Sequence, residues 1–156
     1  MVTLVLVKAG KRLPFRNQFQ THRITDPHQV HEAFDYGTNN SAVGGIIVDS
    51  MTFLMDMFES QYVLTAANTM KAWSDYNQYF KELMQGKVVL FGKPTIFIAH
   101  LKDELDEKAM EMKTFVPVKG ALKNNGIEAY FSTVVSAKKM PLKELDKVTN
   151  KLLHIS

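Results

Sequence analysis

Gly44-Gly45-Ile46-Ile47-Val48-Asp49-Ser50 decides how the rest of this chain is read. Three β-branched residues in a row form a buried strand, and the run delivers an acid and a hydroxyl to its end. This is the form of a Walker B strand, whose acid in nucleotide hydrolases holds or orients the Mg²⁺ that bridges the phosphates. The companion phosphate loop, Gly-x-x-x-x-Gly-Lys-Ser/Thr, occurs nowhere. The pairs Gly10-Lys11, Gly86-Lys87 and Gly92-Lys93 are followed by Arg12, Val88 and Pro94, and none has a glycine five positions earlier. Half of a nucleotide site is therefore legible.

The chain of 156 residues is read as one domain, residues 1–156, long enough to bury a core. Its apolar fraction of 46% and charged fraction of 22% are those of a globular protein and exclude a disordered one. Without cysteine it has no disulfide framework and no thiolate metal site, which fits a reducing cytoplasm. Met1–Val7 is apolar but short, and Lys8, Lys11 and Arg12 follow it, the reverse of the order in a signal peptide. It is read as a first strand. No apolar run has the length of a membrane span, and the net charge of +3 permits a polyanionic partner without demanding one.

Working outward from Asp49, Val2–Val7 is a buried strand, and the polar, basic stretch to Ile24 has no assignable structure. Asp26-Pro27 starts a helix that runs to about Tyr36 and stops at Gly37. A short helix covers Thr52–Phe58. A longer one, from about Asn68 to Gln85, puts Met70, Trp73, Tyr76 or Asn77, Phe80 and Leu83 or Met84 on one core-facing stripe, with Gly86 as its stop. Thr95–His100 is a second buried strand, and the charged segment Leu101–Lys113 follows it. Its acidic cluster, Asp103, Glu104, Asp106 and Glu107, is read either as a solvated helical face or as placing one acid near a phosphate-bound metal. Val116–Gly120 is a loop and Ala129–Ser136 a further strand. Pro141 opens a terminal helix to about Leu153. Alternating strands and helices predict an α/β fold with a mainly parallel sheet.

Ligands of open α/β sheets bind beyond the carboxyl ends of the strands, where Asp49, Ser50 and His100 all lie. Asp49 either fixes Mg²⁺ or caps the next helix. His100 either bonds a terminal phosphate or the attacking water, or merely ends its strand. His28, His31 and Glu32, at i, i+3 and i+4, offer a weaker metal grouping that is not HExxH. Lys119, Lys123, Lys138 and Lys139 belong to a basic C-terminal third suited to a phosphate backbone.

Four segments together resemble bacteriophage RecA-like P-loop ATPases, near the Sak-type single-strand annealing proteins and the RecA/KaiC superfamily. They are Ile46–Leu54, Trp73-Ser74-Asp75-Tyr76, Ile96–His100 and Val116–Lys123. The resemblance implies a three-layer RecA-like core. Asp49 would be the Walker B acid holding Mg²⁺, with Ser50 beside it at the cofactor, and His100 would sense the γ-phosphate. Val116–Lys123 would face single-stranded DNA, and Lys138 and Lys139 would reach toward a neighbouring subunit's nucleotide.

It also implies that the phosphate loop and its strand belong upstream of Met1, so that the core is truncated there. The first strand leads to Lys8 instead of the expected water-activating acid. Two functions follow as expectations. One is a nucleotide-linked protein of phage DNA recombination or replication, in the host cytoplasm, that uses ATP and Mg²⁺ only with a missing segment or a partner. The other is a degenerate, non-catalytic module that self-associates or binds a protein partner.

Overall fold

A computed structural model of the chain describes residues 2–8, 19–107, 109–120, 122 and 126–137. Four parallel strands form the main sheet: β1 (Val2–Lys8), β2 (Gln20–Ile24), β3 (Val43–Asp49) and β4 (Thr95–Ile98), in the order β2-β1-β3-β4. The expected α/β class and parallel sheet are both present, in an arrangement consistent with a three-layer fold. Register runs Leu4↔Ile46, Leu6↔Val48 and Val48↔Phe97, which sets these side chains on one face. They join Val30, Phe34, Leu54, Tyr76 and Phe80 of the helices in a single core cluster. The opposite face carries buried Val5, half-buried Ile47, and the exposed Ile96 and Ile98.

Strand β2 was invisible in the sequence because four of its five residues face solvent. As an edge strand it needs only backbone pairing to β1, so it shows no apolar alternation. Helix α1 (His28–Asn39) starts where Asp26 Oδ1 accepts the His28 N–H at 2.8 Å. It passes through Gly37, a buried helical residue and not the stop that was expected. Helix α2 (Met51–Phe58) continues into a π-helical turn, Glu59–Val63.

Helix α3 (Thr69–Glu82) is capped by Asn68, whose Oδ1 accepts from Lys71 N–H at 3.0 Å. It too runs on, through a π turn at Leu83–Lys87 into α4 (Val88–Phe91). Gly92, at φ +60°, is the left-handed stop, and Gly86 lies inside the helical run. The stripe on α3 is buried at Tyr76, Phe80, Leu83 and Met84, but Met70 is 84% exposed, and in the first turn of α3 it is Ala72 that reaches the core. Gly45 permits the approach of β4's entry: a Cβ there would lie 2.9 Å from the Pro94 carbonyl oxygen.

Three further expectations are corrected. The second strand is not buried, since Ile96 and Ile98 of β4 are exposed at the edge. The acidic segment is not a helix but an antiparallel hairpin, β5 (Lys102–Asp106) with β6 (Glu111–Phe115), in which Leu105 faces Met112 across the pair. Cross-strand bonding satisfies its backbone with no need of an apolar helical stripe, which the segment lacks. Ile127–Tyr130 is a 3-10 turn, and residues 131–137 pair with no strand among the described residues. The helix expected over 141–153 lies outside the described residues.

Candidate functional site

Asp49 closes β3 at the point where the sheet order reverses. The chain goes from β1 out to β2 on one side, then crosses back to β3 on the other side of β1. Such a switch point opens a crevice at the carboxyl ends of the strands. Asp49 is half-buried, and it pairs in register with Val7 of β1 and Ile98 of β4. The peptide that links it to Ser50 is cis.

Ser50, not Asp49, caps the next helix. Its Oγ accepts the Phe53 N–H at 3.5 Å, and the residue is 4% exposed. The helix-capping alternative for Asp49 is thereby assigned to its neighbour, and the Ser50 hydroxyl is directed into the first turn of α2. Two residues past the Asp49 partner Ile98, the backbone N–H of His100 donates to Thr52 Oγ1 at 2.9 Å. The His100 ring stands edge-on to Phe53, 5.1 Å between centroids. The structure thus brings Asp49 and His100 to one edge of the sheet, around the start of α2.

What this arrangement can hold follows from its donors. Mg²⁺ takes one or two protein carboxylates and fills its octahedron with water and substrate phosphate oxygens. Asp49 is one such carboxylate, and an exposed imidazole nearby offers a hydrogen bond to a phosphate oxygen. The fit is to a phosphate-bound Mg²⁺, not to an ion caged by protein alone. Among the described residues no group of three or more His, Asp or Glu is placed to hold a metal, and that includes His28, His31 and Glu32.

The basic residues fare differently. Lys119 lies in the loop after β6 and is ion-paired with Glu59, and with Asp56 at 3.2 Å. The hydrogen bond to Glu59 holds its ammonium above the usual lysine range. These pairs fasten the loop to α2 and to the turn that follows it. Lys123, Lys138 and Lys139 lie outside the described residues.

A cavity of about 550 Å³ between α1, the Glu59–Val63 turn and α3 was not foreseen. His31 stacks on Tyr79 there, centroids 4.4 Å apart and planes 9° from parallel, and Tyr79 Oη donates to the Pro27 carbonyl at 2.6 Å. The His31 Nε2 atom is buried without a hydrogen-bond partner. Burial, the largest cause, lowers its pKa below the ordinary 6.5, and nearby Glu82 opposes that shift. The only sequence signal was the i, i+3 spacing of the two histidines, which turns both toward one side of α1.

Among the described residues no helix is long and apolar enough to cross a membrane. No family model matches the chain, and no curated protein or solved structure matches it either.

Proposed function

We propose that the chain is a RecA-like, nucleotide-linked protein of phage DNA recombination or replication, in which the carboxyl edge of β3 and β4 takes the Mg²⁺-bound phosphates of ATP. One observation carries the nucleotide part. Asp49 and His100 leave neighbouring parallel strands at the same sheet edge, beside a topological switch point. Asp49 orients Mg²⁺ or its water shell, and His100 meets the terminal phosphate. The phage and single-stranded DNA parts rest on the motif resemblance alone. Phosphoryl transfer depends on positioning and charge stabilisation by a phosphate loop, which this sequence lacks, so hydrolysis needs a further segment from an assembly.

The test is a titration of the isotope-labelled full chain with Mg-ATP, followed through backbone amide shifts, which detects weak binding as well as tight. Expected are Mg²⁺-dependent shifts centred on residues 49–53 and 99–101, lost in Asp49→Ala. No shifts, or the same shifts in the variant, would remove the role given to Asp49.

A further inference from the structure

The cavity between α1, the Glu59–Val63 turn and α3 shares no described lining residue with the sheet edge that holds Asp49 and His100. Its floor is apolar: Phe58, Ala72 and Tyr79 are 3%, 7% and 4% exposed. Two imidazoles adjoin it. His31 lies flat on Tyr79, and His28 meets Tyr79 and Tyr62 edge-on, at centroid separations of 5.4 and 5.2 Å. The tyrosine hydroxyls are already committed. Tyr79 Oη donates to the Pro27 carbonyl at 2.6 Å, and Tyr62 Oη donates to Asp26. Neither acceptor is in the described lining, so both tyrosines offer the cavity ring carbon and not a hydroxyl.

Charge sits at the rim. The Lys71 ammonium is bound to Asp75 Oδ2 at 2.7 Å, so those two charges cancel. Glu82, exposed at the end of α3, is in no ion pair among the described residues. Its carboxylate favours the protonated form of His31, but burial of that ring outweighs it and keeps the imidazole neutral at about pH 7. Lys87, which also acts on His31, is itself held by Asp35 at 2.6 Å. With neutral imidazoles, the described lining carries one unbalanced negative charge beside a bank of aromatic rings. Ring faces have negative potential of their own, so rings and a carboxylate together attract an organic cation.

We infer that this cavity binds a small aromatic amine, with its ring against the floor of Phe58, Ala72 and Tyr79 and its ammonium on Glu82. The lining selects this occupant. A small aliphatic amine would leave the floor wet, and an aromatic acid would bring its carboxylate against that of Glu82. A neutral ring would gain nothing from the carboxylate. The volume of about 550 Å³ is that of a small-molecule site, and such sites are mostly apolar with a few placed polar groups. Because the cavity and the β3–β4 edge share no described residue, the inference stands apart from the nucleotide assignment.

The probe is phenethylamine, added to the isotope-labelled full chain at about pH 8, above the ordinary histidine range and below that of an alkylamine. Saturable amide shifts are expected, centred on His28, His31, Ala72, Tyr79 and Glu82. Methylamine has the charge without the ring, and hydrocinnamate has the ring with a carboxylate; neither should shift these amides. Glu82→Gln should weaken phenethylamine binding about threefold or more. Glu82→Lys should abolish it and admit hydrocinnamate, a gain that a damaged fold could not produce. Asp49→Ala should bind phenethylamine as the parent does, which separates this inference from failure of the phosphate site. Absence of saturable shifts in the parent overturns the proposal, and so does undiminished affinity in Glu82→Gln. Equal shifts from phenethylamine and hydrocinnamate overturn it too, as an unselective apolar hole. Equal shifts from phenethylamine and methylamine do the same, as a counter-ion on Glu82 only.

Discussion

The backbone N–H of His100 donates to Thr52 Oγ1 at 2.9 Å, tying the end of β4 to the first turn of α2. Because α2 begins directly after Asp49 and Ser50, this bond sets the position of His100 relative to Asp49. Thr52→Val keeps the branched shape and removes the acceptor. It should cost about 1 kcal/mol in urea unfolding and speed exchange of the His100 amide. Unchanged exchange at His100 would show that the strand end is held by other contacts.

Gly92 and Gly86 should respond to alanine in opposite directions. Gly92 sits at φ +60°, so Gly92→Ala should destabilise by about 1 kcal/mol or more. Gly86 lies in the helical run, where an added Cβ meets Glu82 Cγ at an ordinary 3.7 Å. Gly86→Ala should therefore stabilise by up to about 1 kcal/mol. Thermal unfolding of the two variants reads the difference, and equal losses would contradict the assignment of Gly92 as the stop.

Lys93, half of a Gly-Lys pair, is engaged by backbone carbonyls in this fold. Its ammonium donates to the carbonyls of Gly37, Asn40 and Val43 at 2.8, 3.0 and 2.9 Å, gathering the end of α1 and the start of β3. Lys93→Met keeps the apolar stem and should lose about 2 kcal/mol, since bonds from charged donors outweigh neutral ones. Denaturant midpoints compared at equal m-value decide this.

Lys119 holds the loop that places Gly120 beside Trp73. Trp73 is the chain's single tryptophan, so its fluorescence reports this loop without interference. Lys119→Ala should shift its emission to the red as water reaches the ring. Emission identical to the parent would mean that the loop stays closed without its ion pairs.

His31 gives the chain a pH-dependent stability with a definite sign. Burial lowers its folded pKa below the unfolded value near 6.5, so above that value both states are neutral and its contribution is complete. As pH falls through about 6.5 the unfolded state takes up the proton first, and stability declines until the folded form also protonates. His31→Phe retains the stack on Tyr79 and should flatten that decline. Urea midpoints at about pH 7.5 and pH 5.5, for parent and variant, measure it. A parallel decline in both would place the effect elsewhere.

Much of the fold could be read in advance because it is local. The β-branched run before Asp49 and the aromatic repeat of α3 act within a few residues, and each produced the element expected of it. The failures share a cause. Strand β2 and the acidic hairpin are held by backbone pairing to distant or facing segments, which leaves little mark on side-chain pattern. The stop of α3 moved from Gly86 to Gly92 because the buried Leu83, Met84 and Phe91 reward continuing the helix past one glycine.

At the site, the sequence by itself determined the chemistry available: a carboxylate and a hydroxyl ending one strand, an imidazole ending another, and no phosphate loop. Only the tertiary structure decided how these are used. Parallel pairing of β3 with β4 brings Asp49 and His100 to one edge, and the first turn of α2 takes Ser50 as its cap. Folding commits Lys119 to Glu59 and Asp56, groups some sixty residues away in sequence. Which residue meets which depends on strand order and burial, and those are settled by packing the whole chain, not by any stretch of it.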